Sequence, residues 1–443
     1  MSQFMENETI KFTFFYSLQI RFLKNQIKNQ IQNHLIVQNE EKMTPKKFLA
    51  DKKNEIVELQ TLLTSIPAIA PEGGGDGEEK KAAALENWLR HKGFEKIIRY
   101  EISDERVSAK VRPSILADIP GKKDDFCIWV IAHIDVVPVG DIKLWNTNPW
   151  EVVEKDGKLY GRGVEDNQQG LCSAVFAALY YLENNIQPEH TIKLLFAADE
   201  ENGSLFGTIP LVKKGIFHKN DLVLIPDGGD AQGQTIEIAE KNLLWLEISV
   251  EGKQTHGSRP DSGANACLAA SDLTVRLNAL EKYFDKTDDL FEPNYSTFQP
   301  TKRFANVDSI NIIPGKDVFC MDCRILPCYT LEEVLKKTDE ICREVENKYG
   351  VKISYQTPQK SQSPATKKES LVAQKLAQCI KKVHRIEPEF IGIGGGTVGA
   401  ELRREGIDAV VWSTLDDQAH QPNEYCKIEN LCKDAETLIE FFS

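Results

Sequence analysis

Residues 126–135 read FCIWVIAHID: seven consecutive apolar side chains that run straight into His133 and Asp135. A continuous apolar run of strand length, with β-branched and aromatic residues in it, fits a strand buried on both faces. Such strands belong to sheets covered by helices, and the neighbouring segments supply them. AALENWLRHKGF (83–94), GLCSAVFAALYYLENN (170–185) and GTIPLVKKG (207–215) carry helical patterning, while TIKLLFAAD (191–199) and DLVLIPD (221–227) read as further strands. The alternation predicts an α/β fold, a sheet flanked by helices. Strands of this series end in acids or in His-x-Asp, at the edge where open α/β sheets place their ligands.

From residue 243 the pattern changes. Strands are expected at 243–252, 307–315 (VDSINIIPG), 317–326 and 352–358, with helices at 264–284 and 331–350. The resulting β-α-β-β-α-β order is the split-βαβ, ferredoxin-like signature and marks an inserted α+β domain. The expected organisation is a catalytic domain in two parts, 43–242 and 358–443, interrupted by 243–357. Residues 1–42 start apolar but are broken by Lys11, Arg21 and Lys24, and no small-residue cleavage site closes them. They fit neither a signal peptide nor a membrane span, and read as an extension, disordered or not native, before a domain that opens at Met43.

Composition narrows the partners. A chain of 443 residues, 41% hydrophobic and 27% charged, is an ordinary globular protein of two or three domains. Its net charge of -13 implies no basic surface and so no nucleic-acid partner. Ten cysteines spread through apolar segments read as reduced thiols of a cytoplasmic protein. Cys320 and Cys323 are spaced like half a zinc site, but no second pair follows, so they read as core thiols.

The chemistry lies in five short runs: AHIDVVP with His133 and Asp135, GRGVEDNQQG with Asp166, ADEENGS with Glu200 and Glu201, LIPDGG with Asp227, and TLDDQAHQPNE with His420. In a strand, residues two apart share a face, so Asp135 is expected to sit behind His133 and accept its outer ring N–H. Each residue alone reads as a solvated acid or a satisfied histidine. Together, at the ends of consecutive strands, they read as metal ligands.

In their order and spacing these motifs resemble the M20 family of dinuclear-zinc amidohydrolases and peptidases, which includes succinyl-diaminopimelate desuccinylase, acetylornithine deacetylase, aminoacylase and carboxypeptidase G. The resemblance runs from about residue 44 to the end. It implies a zinc-peptidase-like catalytic domain with a mixed sheet, and a lid and dimerisation domain at 243–357. It implies that His133 and Asp227 hold one zinc, Glu201 and His420 the other, and that Asp166 bridges both; cobalt or manganese suits the same donors. Glu200 would be the general base, with Asp135 supporting the site. His256 in GKQTHGSRP would reach a neighbouring subunit and stabilise the oxyanion. Arg259, Asn311, Arg324, Gly395, Gly396 and Thr397 would hold substrate, mostly its carboxylate.

The implied activity is cleavage of an amide in an N-acyl amino acid or short peptide with a free carboxylate, by a homodimer acting away from nucleic acid and membrane. A dipeptidase or carboxypeptidase of the same family is the alternative, and a non-catalytic binding relative a remote one. Two departures stand out: Asp166 is followed by Asn-Gln-Gln-Gly where the family usually has a lysine, and position 227 is Asp where many of its deacylases use Glu. FIGIGGGTVGAELRREG also offers Gly394, Gly396 and Gly399 as a dinucleotide fingerprint, but too little chain follows for a nucleotide-binding half.

Overall fold

FCIWVIAHID lies near the centre of an eight-stranded mixed sheet in the computed structural model, which describes residues 43–443. Leu49–Ser443 forms one unit; of the other, Met1–Phe48, only residues 43–48 are described, and the extension expected at 1–42 lies outside the described residues.

In chain order, the first part comprises α1 (Pro45–Asp51), α2 (Lys53–Thr64), α3 (Glu79–His91), β1 (Lys96–Ser103), β2 (Val111–Ile119), β3 (Lys123–His133), β4 (Val153–Lys155), β5 (Lys158–Tyr160), α4 (Gln168–Glu183), β6 (His190–Ala197), α5 (Thr208–Lys213), β7 (Leu222–Asp230) and β8 (Thr235–Glu240). The chain then builds β9 (Asn242–Glu251), β10 (Thr255–His256), α6 (Ala266–Asn278), β11 (Thr297–Arg303), β12 (Ile312–Ile313), β13 (Lys316–Ile325), α7 (Leu331–Tyr349), β14 (Lys352–Gln356) and β15 (Lys360–Ser361). It returns through α8 (Leu371–His384), β16 (Glu389–Ile393), α9 (Gly399–Arg404), β17 (Ala409–Thr414), β18 (Tyr425–Lys427) and α10 (Ile428–Phe442).

The large sheet runs β1-β2-β6-β3-β7-β17-β8-β16, with β6, β3, β7 and β17 mutually parallel. Their apolar runs are buried on both faces: Trp129, Leu195 and Val223 on one and Val130, Leu194 and Leu224 on the other are at most 1% exposed. The second sheet, β11-β13-β9-β14, is antiparallel and covered on one face only. Along β9 the alternate residues Leu244, Leu246, Ile248 and Val250 face the helices, while Trp245 on the other face is 42% exposed. Each such fully buried aliphatic contributes about 1.5–3 kcal/mol, which fixes the face that β9 turns inward.

The β-α-β-β-α-β order holds in this part with a different second strand. The outer partner of β13 is β11, TFQPTKR, whereas the expected strand at 307–315 pairs only through Ile312–Ile313 with β10. β11 is an edge strand with Pro300 and mostly exposed side chains, tolerated there because one edge needs no ladder. β8 (TIEIAE) was not anticipated either. Cys320 and Cys323 sit three apart on β13 and so point to opposite faces, which leaves them unable to share one ion. Among the described residues no helix is long and apolar enough to cross a membrane.

His384 closes α8 with 7% exposure, its Nδ1 3.2 Å from the Gln232 carbonyl and its ring edge-on to Trp412. Burial, and then nearby Lys433, push its imidazole down to about 4. The unfolded ring titrates near 6.5, so the neutral ring favours the fold above that pH and the contribution is lost as pH falls toward about 4, at up to about 1.4 kcal/mol per pH unit. The urea midpoint of the wild type should therefore fall more steeply across that window than that of His384→Gln; parallel curves would refute the assignment.

Candidate metal centre

The acids and histidines of the five runs converge at the carboxyl ends of β3, β6 and β7. His133 is the last residue of β3, and Asp227 lies within β7. β6 ends at Ala197, and the chain passes through Asp199, with φ of 62°, into a short 3-10 turn over Glu200–Asn202. Asp166 stands just before α4, and His420 lies between β17 and β18.

Asp166 faces both histidines. Its Oδ1 is 2.9 Å from His133 Nε2 and its Oδ2 is 3.2 Å from His420 Nε2. Asp227 Oδ1 is 3.7 Å from the same nitrogen of His133, and Glu201 Oε2 is 3.0 Å from that of His420. Ligand atoms of His133, Asp166 and Glu201 lie within 4.8 Å of one another, as do those of His133, Glu200 and Asp227. Four carboxylates thus share two imidazoles. For Glu200, burial and then Asp227 push the carboxyl well above the usual range. Contacts with Asp166 and Glu201 lift His420 to about 10. Glu201 Oε1 is buried without a partner. Excess negative charge, an orphaned carboxylate oxygen and an N/O donor set together fit divalent cations.

Backbone amides hold these side chains in place. The Asp135 carboxylate accepts from the N–H groups of Glu200 and Glu201, each at 3.1 Å. The expected contact with the His133 ring is shared: the Asp135 carbonyl lies 3.0 Å from Nδ1 and the carboxylate 3.5 Å. The carbonyl stands closer because β3 stops at His133, so strand alternation does not extend to Asp135. Asn167 Nδ2 donates to Asp227 Oδ1 at 2.7 Å and to the Pro226 carbonyl at 2.6 Å. Asp199, without an expected role, takes the Phe206 N–H at 2.9 Å and stands 3.2 Å from the guanidinium of Arg112, itself fully buried against Glu78.

Two further acids escaped sequence reasoning. Glu424, fully buried, accepts from Arg162 Nη1 at 2.7 Å and from the amides of Gly163, Glu165 and Asp166 at 2.9, 2.9 and 3.2 Å. Glu165 answers from the other side, accepting the amides of Asp416, at 2.8 Å, and Gln418. Burial pushes each carboxyl up to about 7. The Gln-Gln departure serves packing: Gln168 accepts from Thr64 Oγ1 at 2.9 Å, and Gln169 donates to the Thr414 carbonyl at 2.8 Å.

Gly395, Gly396 and Thr397 line a cleft of about 610 Å³ together with Glu200, Glu201 and His420. Arg324 reaches its border, donating to the Gly394 carbonyl at 2.7 Å. His256, Arg259 and Asn311 stay apart around the β10–β12 strand pair: the Gly257 amide donates to the Asn311 carbonyl at 2.7 Å and the Arg259 amide to the His256 carbonyl at 2.9 Å. None of the three lines the cleft.

Residues 129–443 match the model of peptidase family M20/M25/M40. An uncharacterised metallohydrolase of Methanocaldococcus jannaschii is 38% identical over 88% of this chain and 99% of its own. A succinyl-diaminopimelate desuccinylase of Orientia tsutsugamushi is 29% identical over 86% and 93%. In fold the chain is similar to an aminopeptidase of Bacillus cereus, with TM-score 0.71, 18% identity and coverage of 88% and 98%. An M20 family metallo-carboxypeptidase of Sulfolobus solfataricus gives TM-score 0.67 at 20% identity, with the same coverage.

The mutual grip of Glu424 and Glu165 has a measurable consequence. Glu424→Gln strands Arg162 and turns amide protons toward amide protons, so the metal-stripped protein should lose about 3 kcal/mol in urea unfolding. Calorimetric titration with zinc should show affinity lowered about 10–100-fold. Unchanged stability and affinity would sink the clasp as an organising element.

Proposed function

This chain belongs to peptidase family M20/M25/M40, and on that footing we propose that it is a dinuclear-zinc hydrolase of amide bonds in N-acyl amino acids or short peptides with a free carboxylate. It is a metal-dependent hydrolase. The observation that carries the two-ion reading is Asp166, whose two oxygens face different histidines. We assign His133 and Asp227 to one ion, His420 and Glu201 to the other, and Asp166 to both; zinc suits the donors, with cobalt or manganese as substitutes.

Bound divalent ions supply polarisation of the amide carbonyl and an acidified water. The chain supplies the rest. Glu200 takes the proton of the attacking water on its carboxylate and passes it to the departing nitrogen. Its burial beside Asp227 suits this task, because both raise the carboxyl's hold on a proton. Asp135 keeps Glu200 and Glu201 in register through their amides. Arg324 and the 395–397 loop are assigned to the substrate. His256, with Arg259 and Asn311, is assigned to the cleft of a second subunit in a homodimer formed through residues 243–357, where an imidazole N–H meets the developing oxyanion. The desuccinylase relatives support an N-acyl substrate. A peptidase reading is favoured by an acid in the cleft wall, Glu240.

Glu200→Ala should keep two metal equivalents by elemental analysis and lose about 10²–10⁴-fold in kcat; wild-type turnover would remove it as the base. His256→Ala should likewise keep its metal, and mixing the two variants should restore part of the activity through hybrid dimers. No recovery would place His256 outside the partner's cleft.

A further inference from the structure

Glu240 ends β8 where the chain leaves the large sheet, and its side chain borders the same cleft as Glu200, Glu201 and His420 although the residue is only 5% exposed. Its two oxygens are used differently. Oε1 accepts from Thr397 Oγ1 at 2.6 Å and from Arg403 Nη2 at 2.5 Å. Oε2 has no hydrogen-bond partner among the described residues, and it stands beside Gly396, 3.8 Å from where a Cβ on that glycine would lie. Arg403 pairs with Oε1 alone, and the other nearby cations are committed elsewhere: Lys241 donates to the carbonyls of Pro293 and Tyr295 at 2.6 and 2.7 Å, and Arg404 pairs with Glu401 and donates to Ser361 Oγ at 3.0 Å. That oxygen is open to a donor arriving in the cleft.

Thr397 adds a second constraint. Its hydroxyl has one proton, which goes to Glu240, and it already accepts from the Gly399 amide at 3.1 Å. No proton is left for a substrate carboxylate, so this side chain can only accept. Two acceptors thus adjoin at the base of the Gly395–Thr397 loop, and an ammonium, with three donors and no acceptor, complements them. Lys360, which has no ion-pair partner among the described residues, stands on the same cleft wall and offers the opposite charge to a zwitterion's carboxylate.

We propose that Glu240 is a specificity-determining residue that receives a primary ammonium of the substrate, so that the cleft selects amides carrying a free amino group over plain N-acyl amino acids. The inference rests on the amide-hydrolase reading of this cleft.

The test uses amide pairs that differ by one ammonium: glycyl-leucine against N-acetyl-leucine, with the amine on the acyl side, and Nα-acetyl-ornithine against N-acetyl-norvaline, with the amine on the leaving side. In the zinc-loaded wild type, kcat/KM should favour the amine-bearing member of at least one pair by about tenfold or more. Glu240→Gln, which keeps an oxygen for Thr397 and Arg403, should bring that ratio within about twofold by raising KM of the amine-bearing member. Ratios near one in both pairs for the wild type, or equal losses on both members in the variant, overturn the proposal. Calorimetric binding to zinc-loaded Glu200→Ala separates this inference from the reading beneath it. If adding Glu240→Gln weakens binding of the amine-bearing amide alone, the ammonium site stands even where the wild type hydrolyses none of the four, and only the hydrolase reading fails; equal binding overturns the site.

Discussion

Two buried carboxylates gripping backbone amides across a loop pair are the constraint on which the centre depends. The segments 161–166 and 415–424 carry ligands but lie outside helix and strand, so their N–H groups need acceptors from elsewhere. Glu424 supplies them to Gly163, Glu165 and Asp166, and Glu165 supplies them in turn to Asp416 and Gln418. Ionic acceptors make such bonds roughly twice as strong as neutral ones. Burial pushes both carboxyls up to about 7, and against it stand the converging amides and, for Glu424, Arg162. Asp166 and His420 therefore arrive as one assembly, 3.2 Å apart.

The other ligands are positioned by cheaper means. His133 and Asp227 sit on adjacent parallel strands, and the ladder between β3 and β7 fixes their relative height. Asn167 then links the two strands to the Asp166 loop, its Nδ2 on Asp227 and its Oδ1 3.4 Å from the His133 amide. A rigid sheet edge carries one half of the donor set, and a clasped loop pair carries the other. This explains why the sheet's apolar core and the polar centre are continuous: loosening the packing of Trp129 and Ile131 would move His133 directly.

Much of the architecture was legible because the central strands β6, β3, β7 and β17 are apolar on both faces, a pattern no loop imitates. β11 was not, since an exposed edge strand with Pro300 has neither alternation nor apolar content to report it. The ligand-type residues were legible from residue type at strand ends together with the family resemblance, and the structure brings His133, Asp166, Glu200, Glu201, Asp227 and His420 to one place. Glu165, Glu424 and Glu240 were silent for a physical reason: an acid that serves amides or an arginine from inside has the same letter as one in water, and its partners are remote in sequence. Asp135 shows the limit of local rules: it lies two residues beyond the end of β3, and its carbonyl stands closer to the His133 ring than its carboxylate does.

The run Asp199-Glu200-Glu201 brings the electrostatics and the chemistry together. Three adjacent acids repel one another unless the backbone separates them, and the left-handed turn at Asp199 does so. Asp199 turns toward Arg112, a permanent cation, and Glu201 toward His420, which shares its proposed metal position. Glu200 receives no such partner: Asp227 is the charge that weighs most on it, and it is of the same sign. Of the three, Glu200 is therefore the acid for which a proton is the available counter-charge. A base needs that property, and an acid locked against arginine or histidine would lack it.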